Sequence, residues 1–306
     1  MTFAYLIMGH RNPGHIINLI GSLRDSKSFF VIHIDKRARD SIYAALRDYA
    51  VDNPDVFLTK RVRCYWGGFG IVKAAIECVT MVVKLNLDFD YAILLSGQDY
   101  PIKSTGQIAE FFQKNKGKEF IESFSLSKPN RWSDYGGYYQ AMNRVQYWTF
   151  FIRNRVFHVR LRRKFPFGCE PYGGSQWWCL SKQCILYIEA FIRANPGFVR
   201  YFQHVFIPDE SFFQTLLSNS AFRDRIVSDH LRYIDTEDPN PEIPRTLEAS
   251  DFESLRLSPK LFARKFEPNR SKECLDLIRA ELLGMPTKSI VQLVRQSTRP
   301  ARSGRR

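Results

Sequence analysis

Two adjacent carboxylates, Asp209 and Glu210, stand inside the apolar run "VFIPDESFFQTLL", with a proline before them and two phenylalanines after. Two chemistries fit this pattern. Pro208-Asp209 could open a helix whose first turn favours acids through its dipole and unpaired N–H groups, a gain of about 0.3–1 kcal/mol. Phe212, Phe213, Leu216 and Leu217 would then form an apolar stripe of helical period. Alternatively, one of the acids is a general base that takes a proton from a reacting hydroxyl. The local residues allow both.

Further candidates lie where strand-like runs end. In "VIHIDKR", Asp35 could accept hydrogen bonds from a ribose or a base N–H, or it could cap a loop. "FARKF" places Arg264 beside Lys265, a planar fork for phosphate oxygens next to a compact point charge, although such a pair can also be plain surface. "GGSQWW" joins glycines to successive tryptophans, whose side chains point apart on a strand, so that one can pack while the other stacks on a ring. "DFD" at 88–90 has the look of a metal-binding Asp-x-Asp but precedes the strand "YAILLS" instead of following it. The place after that strand holds "SGQD", whose single carboxylate, Asp99, is a poor cage for Mg²⁺ or Mn²⁺. P-loop, Rossmann and nucleophile-elbow signatures are missing, and His10, His33, His158, His204 and His230 show no metal spacing and default to structural roles, with His33 packed in its strand.

These residues need a scaffold, and 306 residues with 44% hydrophobic content supply one with a sizeable core. Strand-like and helical runs alternate through the first half. "FAYLIM", "FFVIHID", "VFLTKR", "YAILLS" and "EFIES" are strands; "GHIINLIGSLRD", "DSIYAALRDYA", "GIVKAAIECVTMVVKLN" and "TGQIAEFFQKN" are helices. That alternation predicts an α/β fold with a doubly wound, mostly parallel sheet. Ligands then bind at the carboxyl ends of the strands, which directs attention to His10, Asp35, Trp66 and Asp99. From Ser123 to Gly174 the pattern gives way to aromatic and basic residues, read as loops and irregular helices, before "GSQWWCLS" and "KQCILYIEAFIRAN" resume it.

The net charge of +14 invites a nucleic-acid or membrane reading. Six basic residues and no acid fall between Lys288 and Arg306, however, and much of the rest sits in "RNRVFHVRLRRKF". Nucleic-acid binding would need cations and rings interleaved along one surface, so no nucleic-acid partner is expected. The six cysteines form no CxxC pair and read as reduced thiols. The apolar N-terminal stretch is too short to span a membrane, and the chain reads as cytoplasmic, with its basic segments suited to peripheral contact with anionic lipid.

The ordered set "FAYLIMGHRNP", "FFVIHIDKR", "YWGGFGIVKA", "YAILLSGQDYPIKS", "GSQWWCLS", "IPDESFFQT", "LRYID" and "LFARKF" resembles the core-2/I-branching β-glycosyltransferases, and within them the peptide O-xylosyltransferase branch, over Phe3 to Phe266. The resemblance implies a GT-A-like fold at 1–285, with a nucleotide-binding half at 1–122, an acceptor half at 123–285, and a basic tail at 286–306. It implies inverting transfer of xylose or N-acetylglucosamine from a UDP-sugar to an acceptor hydroxyl of a glycan, glycolipid or peptide, with no divalent metal. Glu210 becomes the base, and Asp209 caps the helix or steadies its neighbour. Arg264 and Lys265 hold the diphosphate, with Arg232 as a second cation. Met8 and Asp35 line the uridine site, Trp66 walls it, Gln176 and Trp177 face the sugar, and Asp99 orders the loop beneath. A non-catalytic glycan-binding relative is the remote alternative. The chain departs from animal members in lacking an evident anchor and stem, which suits a bacterial-type enzyme of surface-glycan synthesis.

Overall fold

The computed structural model describes residues 1–25, 27–152, 155–166, 168–237 and 240–285. The tail expected at 286–306 lies outside the described residues.

Four strands form the parallel heart of the protein: β1 (Phe3–Gly9), β2 (Ser28–Ile34), β3 (Val56–Leu58) and β4 (Tyr91–Ser96), adjacent in the order β3-β2-β1-β4. Their runs are almost wholly apolar because both faces are covered. Tyr5, Ile7, Ile32, Ile93 and Leu95 point to one core, and Ala4, Leu6, Val31, Ala92 and Leu94 to the other, which is the period-2 alternation of a pleated strand. Helix α1 (Pro13–Leu23) packs Ile16, Leu19, Ile20 and Leu23 on the first core, and α3 (Gly70–Lys84) packs Val72, Ala75, Val79 and Val82 on the second. Each such aliphatic side chain, fully buried, contributes about 1.5–3 kcal/mol before entropy is charged against it. Helix α2 (Asp40–Val51) is shallower and buries only Leu46 and Tyr49.

Beyond β4 the sheet turns mixed. The strand Trp178–Ser181 lies antiparallel to β4 and to β6 (Glu119–Ile121), and Ile226–Val227 closes the edge parallel to β6, giving seven strands among the described residues. Helix α4 (Thr105–Lys114) precedes β6 and opens on a capping box between Ser104 and Gln107. Between β4 and α4, the short β5 (Asp99–Pro101) leaves the main sheet. It joins a three-stranded sheet whose middle strand, Phe262–Arg264, runs antiparallel to β5 and parallel to Arg232–Ile234.

The region 123–174 departs from the expectation of loops and irregular helices alone. It holds an antiparallel hairpin, Tyr147–Ile152 with Arg155–Arg162, which follows α5 (Ala141–Gln146). Aromatic and β-branched residues in "YWTFFI" and "RVFHV" favour the pleated state, while the interspersed arginines mask the alternation in the sequence.

The acidic segment also differs from its expected form. Pro208–Glu210 is a 3-10 turn of its own, closed by Glu210 N–H donating to Ile207 O at 3.2 Å and Ser211 N–H donating to Pro208 O at 3.1 Å. The following helix, Phe212–Ser218, starts after Ser211, whose φ of −145° breaks the helical path, and no side chain caps it. Asp209 is therefore not a helix cap. The helix is buried on every side, with Phe212 and Phe213 edge-on to one another and Phe212 against Phe198 and Phe202 at centroid distances of 5.3 and 5.2 Å. This aromatic bed holds the turn rigidly from below.

Candidate functional site

Strand order reverses between β1 and β4, so the crevice at their carboxyl ends is the natural ligand site of such a sheet. The loop after β4 is built around Asp99. Its Oδ2 accepts from Ser96 N–H at 3.0 Å, and Ser96 Oγ accepts from Gln98 N–H at 3.1 Å. Asp99 is fully buried, and burial pushes its carboxyl above the usual range, with Arg264 the largest opposing influence. Arg264 lies opposite it in the register of the small sheet, with Nε 3.7 Å from Asp99 Oδ1. The guanidinium lies over the Trp177 ring at 4.5 Å, and its side chain is only 14% exposed. Lys265 is half-buried beside it, and Phe266 N–H donates to Gln98 O at 2.9 Å, which sews the Arg-Lys segment to the β4 loop.

Asp35 ends β2. Its Oδ1 accepts from Arg37 N–H at 2.8 Å and from Cys64 N–H at 3.2 Å, so this oxygen staples two loops together. Two residues after Cys64, Trp66 projects with 60% exposure, edge-on to Phe206 at 5.9 Å. Gly67 O then accepts from Ile207 N–H at 2.9 Å, which fixes the Trp66 loop to the acidic turn. Met8 is the penultimate residue of β1, half-buried, and its carbonyl accepts from Gly97 N–H at 2.8 Å.

The two acids of the turn have opposite surroundings. Glu210 is 31% exposed along its side chain, and its Oε2 accepts from Arg144 Nη1 at 2.7 Å. Arg144 is almost fully buried: its Nε donates to Tyr139 O at 2.8 Å and its guanidinium sits over Trp132 at 3.9 Å. A cation held this firmly fixes the direction in which Glu210 presents its carboxylate. Asp209 is buried, its Oδ1 has no hydrogen-bond partner among the described residues, and burial followed by the charge of Glu210 pushes its carboxyl up to about 7. A group so placed is neutral over much of the acid range, which leaves Glu210 as the exposed carboxylate of the pair.

The segment 174–177 bridges the two sides of the crevice. Gly174 N–H donates to Glu210 O at 2.9 Å, Gln214 Nε2 donates to Ser175 O at 2.6 Å, and Trp177 carries Arg264. A Cβ on Gly174 would lie 1.9 Å from Glu122 O, so glycine is required there for close approach and not for flexibility. Gln176 is half-buried between these anchors. Trp178 packs wholly inside, as one of the two tryptophans was expected to do. Trp177, at 6% exposure, gives its ring to Arg264, so its influence on any ligand passes through that guanidinium.

Arg232 is a correction. It is 1% exposed, with Nη2 donating to Leu94 O and Nη1 donating to His230 O and to Cys179 Sγ at 3.2 Å. Its donors satisfy carbonyls between the two sheets, so it supports the site from beneath instead of reaching a phosphate. The "DFD" acids lie at the amino end of β4: Asp88 is exposed and paired with Lys182 at 3.0 Å, and Asp90 accepts from Thr2 N–H at 2.8 Å. His33 is packed in β2 and accepts from Val62 N–H at 2.9 Å. All six cysteines are free. Among the described residues no three His, Cys, Asp or Glu side chains are grouped as a metal site, and no helix is long and apolar enough to cross a membrane. The residue that sequence reasoning missed is Arg144. It lies 66 residues from its partner in a stretch, "MNRVQYW", that carries no motif.

With this arrangement in view, the family model described as "Branch: Core-2/I-Branching enzyme" matches residues 3–256. The chain belongs to the core-2/I-branching enzyme family. Among curated members it is 25% identical over 314 residues to "Xylosyltransferase oxt" of Drosophila pseudoobscura pseudoobscura, covering 94% of this chain and 34% of that protein. It is 26% identical over 315 residues to "Xylosyltransferase 2" of Homo sapiens, covering 93% and 34%, and 26% identical over 302 residues to "Xylosyltransferase" of Ciona intestinalis, covering 93% and 34%. The chain thus spans about a third of the length of these relatives. A solved structure titled a putative glucose-1-phosphate thymidylyltransferase from Bacillus anthracis, in complex with a sucrose, aligns over 61% of this chain and 75% of its own. Its TM-score of 0.29 and identity of 14% are too low to argue from.

Proposed function

We propose that this family member is an inverting glycosyltransferase that moves a sugar from a UDP-sugar to an acceptor hydroxyl, giving a β linkage. The observation that carries the reading is the Glu210 carboxylate, partly exposed, aimed by a buried arginine, and joined through 174–177 to Arg264. In the reaction, Glu210 accepts the hydroxyl proton as the acceptor oxygen attacks the anomeric carbon. The new C–O bond forms on the face opposite the bond to UDP, which breaks and leaves with its electron pair on the diphosphate. Arg264 and Lys265 balance that charge, a task a divalent ion performs elsewhere, so no metal is required. Asp99 and Trp177 hold Arg264 in place, Met8 and Asp35 border the uridine, Trp66 walls it, and Gln176 lies nearest the sugar.

The names of the relatives favour xylose as the donor sugar; N-acetylglucosamine is the alternative, and a glycan, glycolipid or peptide the acceptor. The test is UDP release across a panel of UDP-sugars, with and without EDTA, for the native protein and Glu210→Gln. One donor should be turned over with EDTA present. Glu210→Gln should bind it normally and turn over about 10²–10⁴-fold more slowly. Absence of binding to every UDP-sugar, or full activity of Glu210→Gln, would overturn the assignment.

A further inference from the structure

The hairpin Tyr147–Ile152/Arg155–Arg162 carries apolar residues on both faces, with Phe151 and Val156 half-buried on the inner one, whereas an ordinary surface hairpin turns a polar face to water. Its inner face carries Thr149, 1% exposed, and His158, which stacks on Tyr138 at 3.8 Å and meets Phe206 edge-on at 4.8 Å. Its outer face pairs Trp148 with Val159 and Phe150 with Phe157 across the strands, and Trp148 stacks on Phe150 at 5.8 Å. Phe150 is 37% exposed, Phe157 and Val159 each 45%, and Leu161 64%. Arg155 and Arg162 stand exposed at the hairpin's two ends, while Arg160, also exposed, lies toward the His158 side over the Tyr138 ring at 5.9 Å.

Beside this face, and sharing Trp148 with it, opens a cavity of about 630 Å³. Arg162, Lys164 and Arg200 line it and are exposed, and no carboxylate is among its lining residues. Its wall is fixed by Arg163, whose guanidinium donates to the carbonyls of Tyr201 at 3.1 Å and His204 at 3.0 Å and lies between the rings of Trp148 and Tyr201.

We propose that this outer face and its basic cavity dock the protein on an anionic phospholipid membrane, with the apolar side chains entering the headgroup layer and Arg162, Lys164 and Arg200 taking phosphate. Aromatic and aliphatic side chains flanked by cations are the chemistry of an interfacial binder. A single-stranded nucleic acid would be met by flat rings along a basic groove. Here the most exposed apolar residue is Leu161, which cannot stack on a base, and the cations flank the apolar patch. The surface lies on the outer side of the hairpin whose inner side packs on Phe206, so a bound membrane would stand close to the crevice where an acceptor enters.

The full-length chain should float with vesicles of phosphatidylcholine mixed with phosphatidylglycerol, should not float with phosphatidylcholine alone, and should be released by high salt. Each cation near an anionic surface strengthens binding about fivefold. The triple variant Arg162→Glu, Lys164→Glu, Arg200→Glu should therefore bind at least about a hundredfold more weakly. Phe157→Ser with Leu161→Ser should weaken binding without altering its salt dependence. None of these residues is in the crevice, so UDP release in solution should be unchanged in all variants, which keeps this test separate from that of the activity. Vesicle binding that is absent, or equal in native and variant proteins, overturns the proposal. So does binding of a fluorescent oligothymidylate that is lost in the same variants while vesicles are ignored.

Discussion

Asp209 offers a measurement that needs no substrate. Its side chain is buried, one oxygen lacks a hydrogen-bond partner among the described residues, and its carboxyl is pushed from 3.8 up to about 7 by burial first and by Glu210 second. Between those values the folded chain holds a proton that the unfolded chain has released. Stability falls with rising pH wherever the native state binds more protons. Asp209 should therefore cost stability progressively from about pH 4 to about pH 7. The total is on the order of 4 kcal/mol, at ~1.4 kcal/mol for each tenfold change in proton affinity. Asparagine has the same shape and no proton to lose. Asp209→Asn should match the native protein near pH 4 and exceed its stability above pH 7 by most of that amount. Urea unfolding followed by tryptophan fluorescence across this range reads the difference directly, because every other titrating group is common to both proteins. Parallel stability curves for native and variant would refute the reasoning and would mean that Asp209 is ionised in the fold with a partner able to hold it.

Other outcomes follow from the same geometry. Arg144→Ala should lower kcat by about 10–100-fold through loss of aim at Glu210 while leaving the donor KM unchanged, and Arg144→Lys should recover part of it; a loss confined to KM would contradict this. Arg264→Leu strands the buried Asp99 without its cation and should cost about 3–5 kcal/mol of stability as well as UDP affinity. Adding Asp99→Asn should restore the stability but not the affinity, as urea unfolding and titration calorimetry would report. Gly174→Ala forces the backbone away from Glu122 O and should destabilise by about 1–3 kcal/mol. Gly136→Ala, where a Cβ meets nothing within 4 Å, should leave both stability and turnover unchanged.

What the sequence made legible follows the range of each interaction. Strands β1, β2 and β4 and helices α1 and α3 are written in local apolar periods, and their reading held. The carboxyl-end residues Asp35 and Asp99 were found because sheet topology alone directs attention there. The proline with two acids does open a helical turn, but a 3-10 one, and nothing local shows that Ser211 interrupts the path before the α-helix, so capping of that helix by Asp209 drops out while a role in steadying Glu210 stays open. Arg232 sits in "LRYID" with no mark of which way it points; carbonyls from three separate segments decide that. Arg144 and Glu210 meet only because α5 and the acidic turn pack together, a contact with no local trace. The hairpin was hidden because apolar residues stand on both of its faces with arginines between them, so neither strand shows a clean period-2 alternation.

The strand Phe262–Arg264 has a bearing on where the chain can be cut. The family match stops at residue 256, yet the central strand of the small sheet begins six residues later. A fragment trimmed to the matched residues would leave β5 and Arg232–Ile234 facing each other across an empty lane. Asp99 would lose its counter-ion and Trp177 the cation that covers it. The shortest autonomous unit must instead run through α-helical Lys272–Leu277 to Arg279, whose Nε donates to Tyr100 OH at 2.9 Å and anchors β5 from the far side. A library of nested C-terminal deletions should thus show its sharp drop in soluble yield upstream of residue 280 and not at the border of the family match.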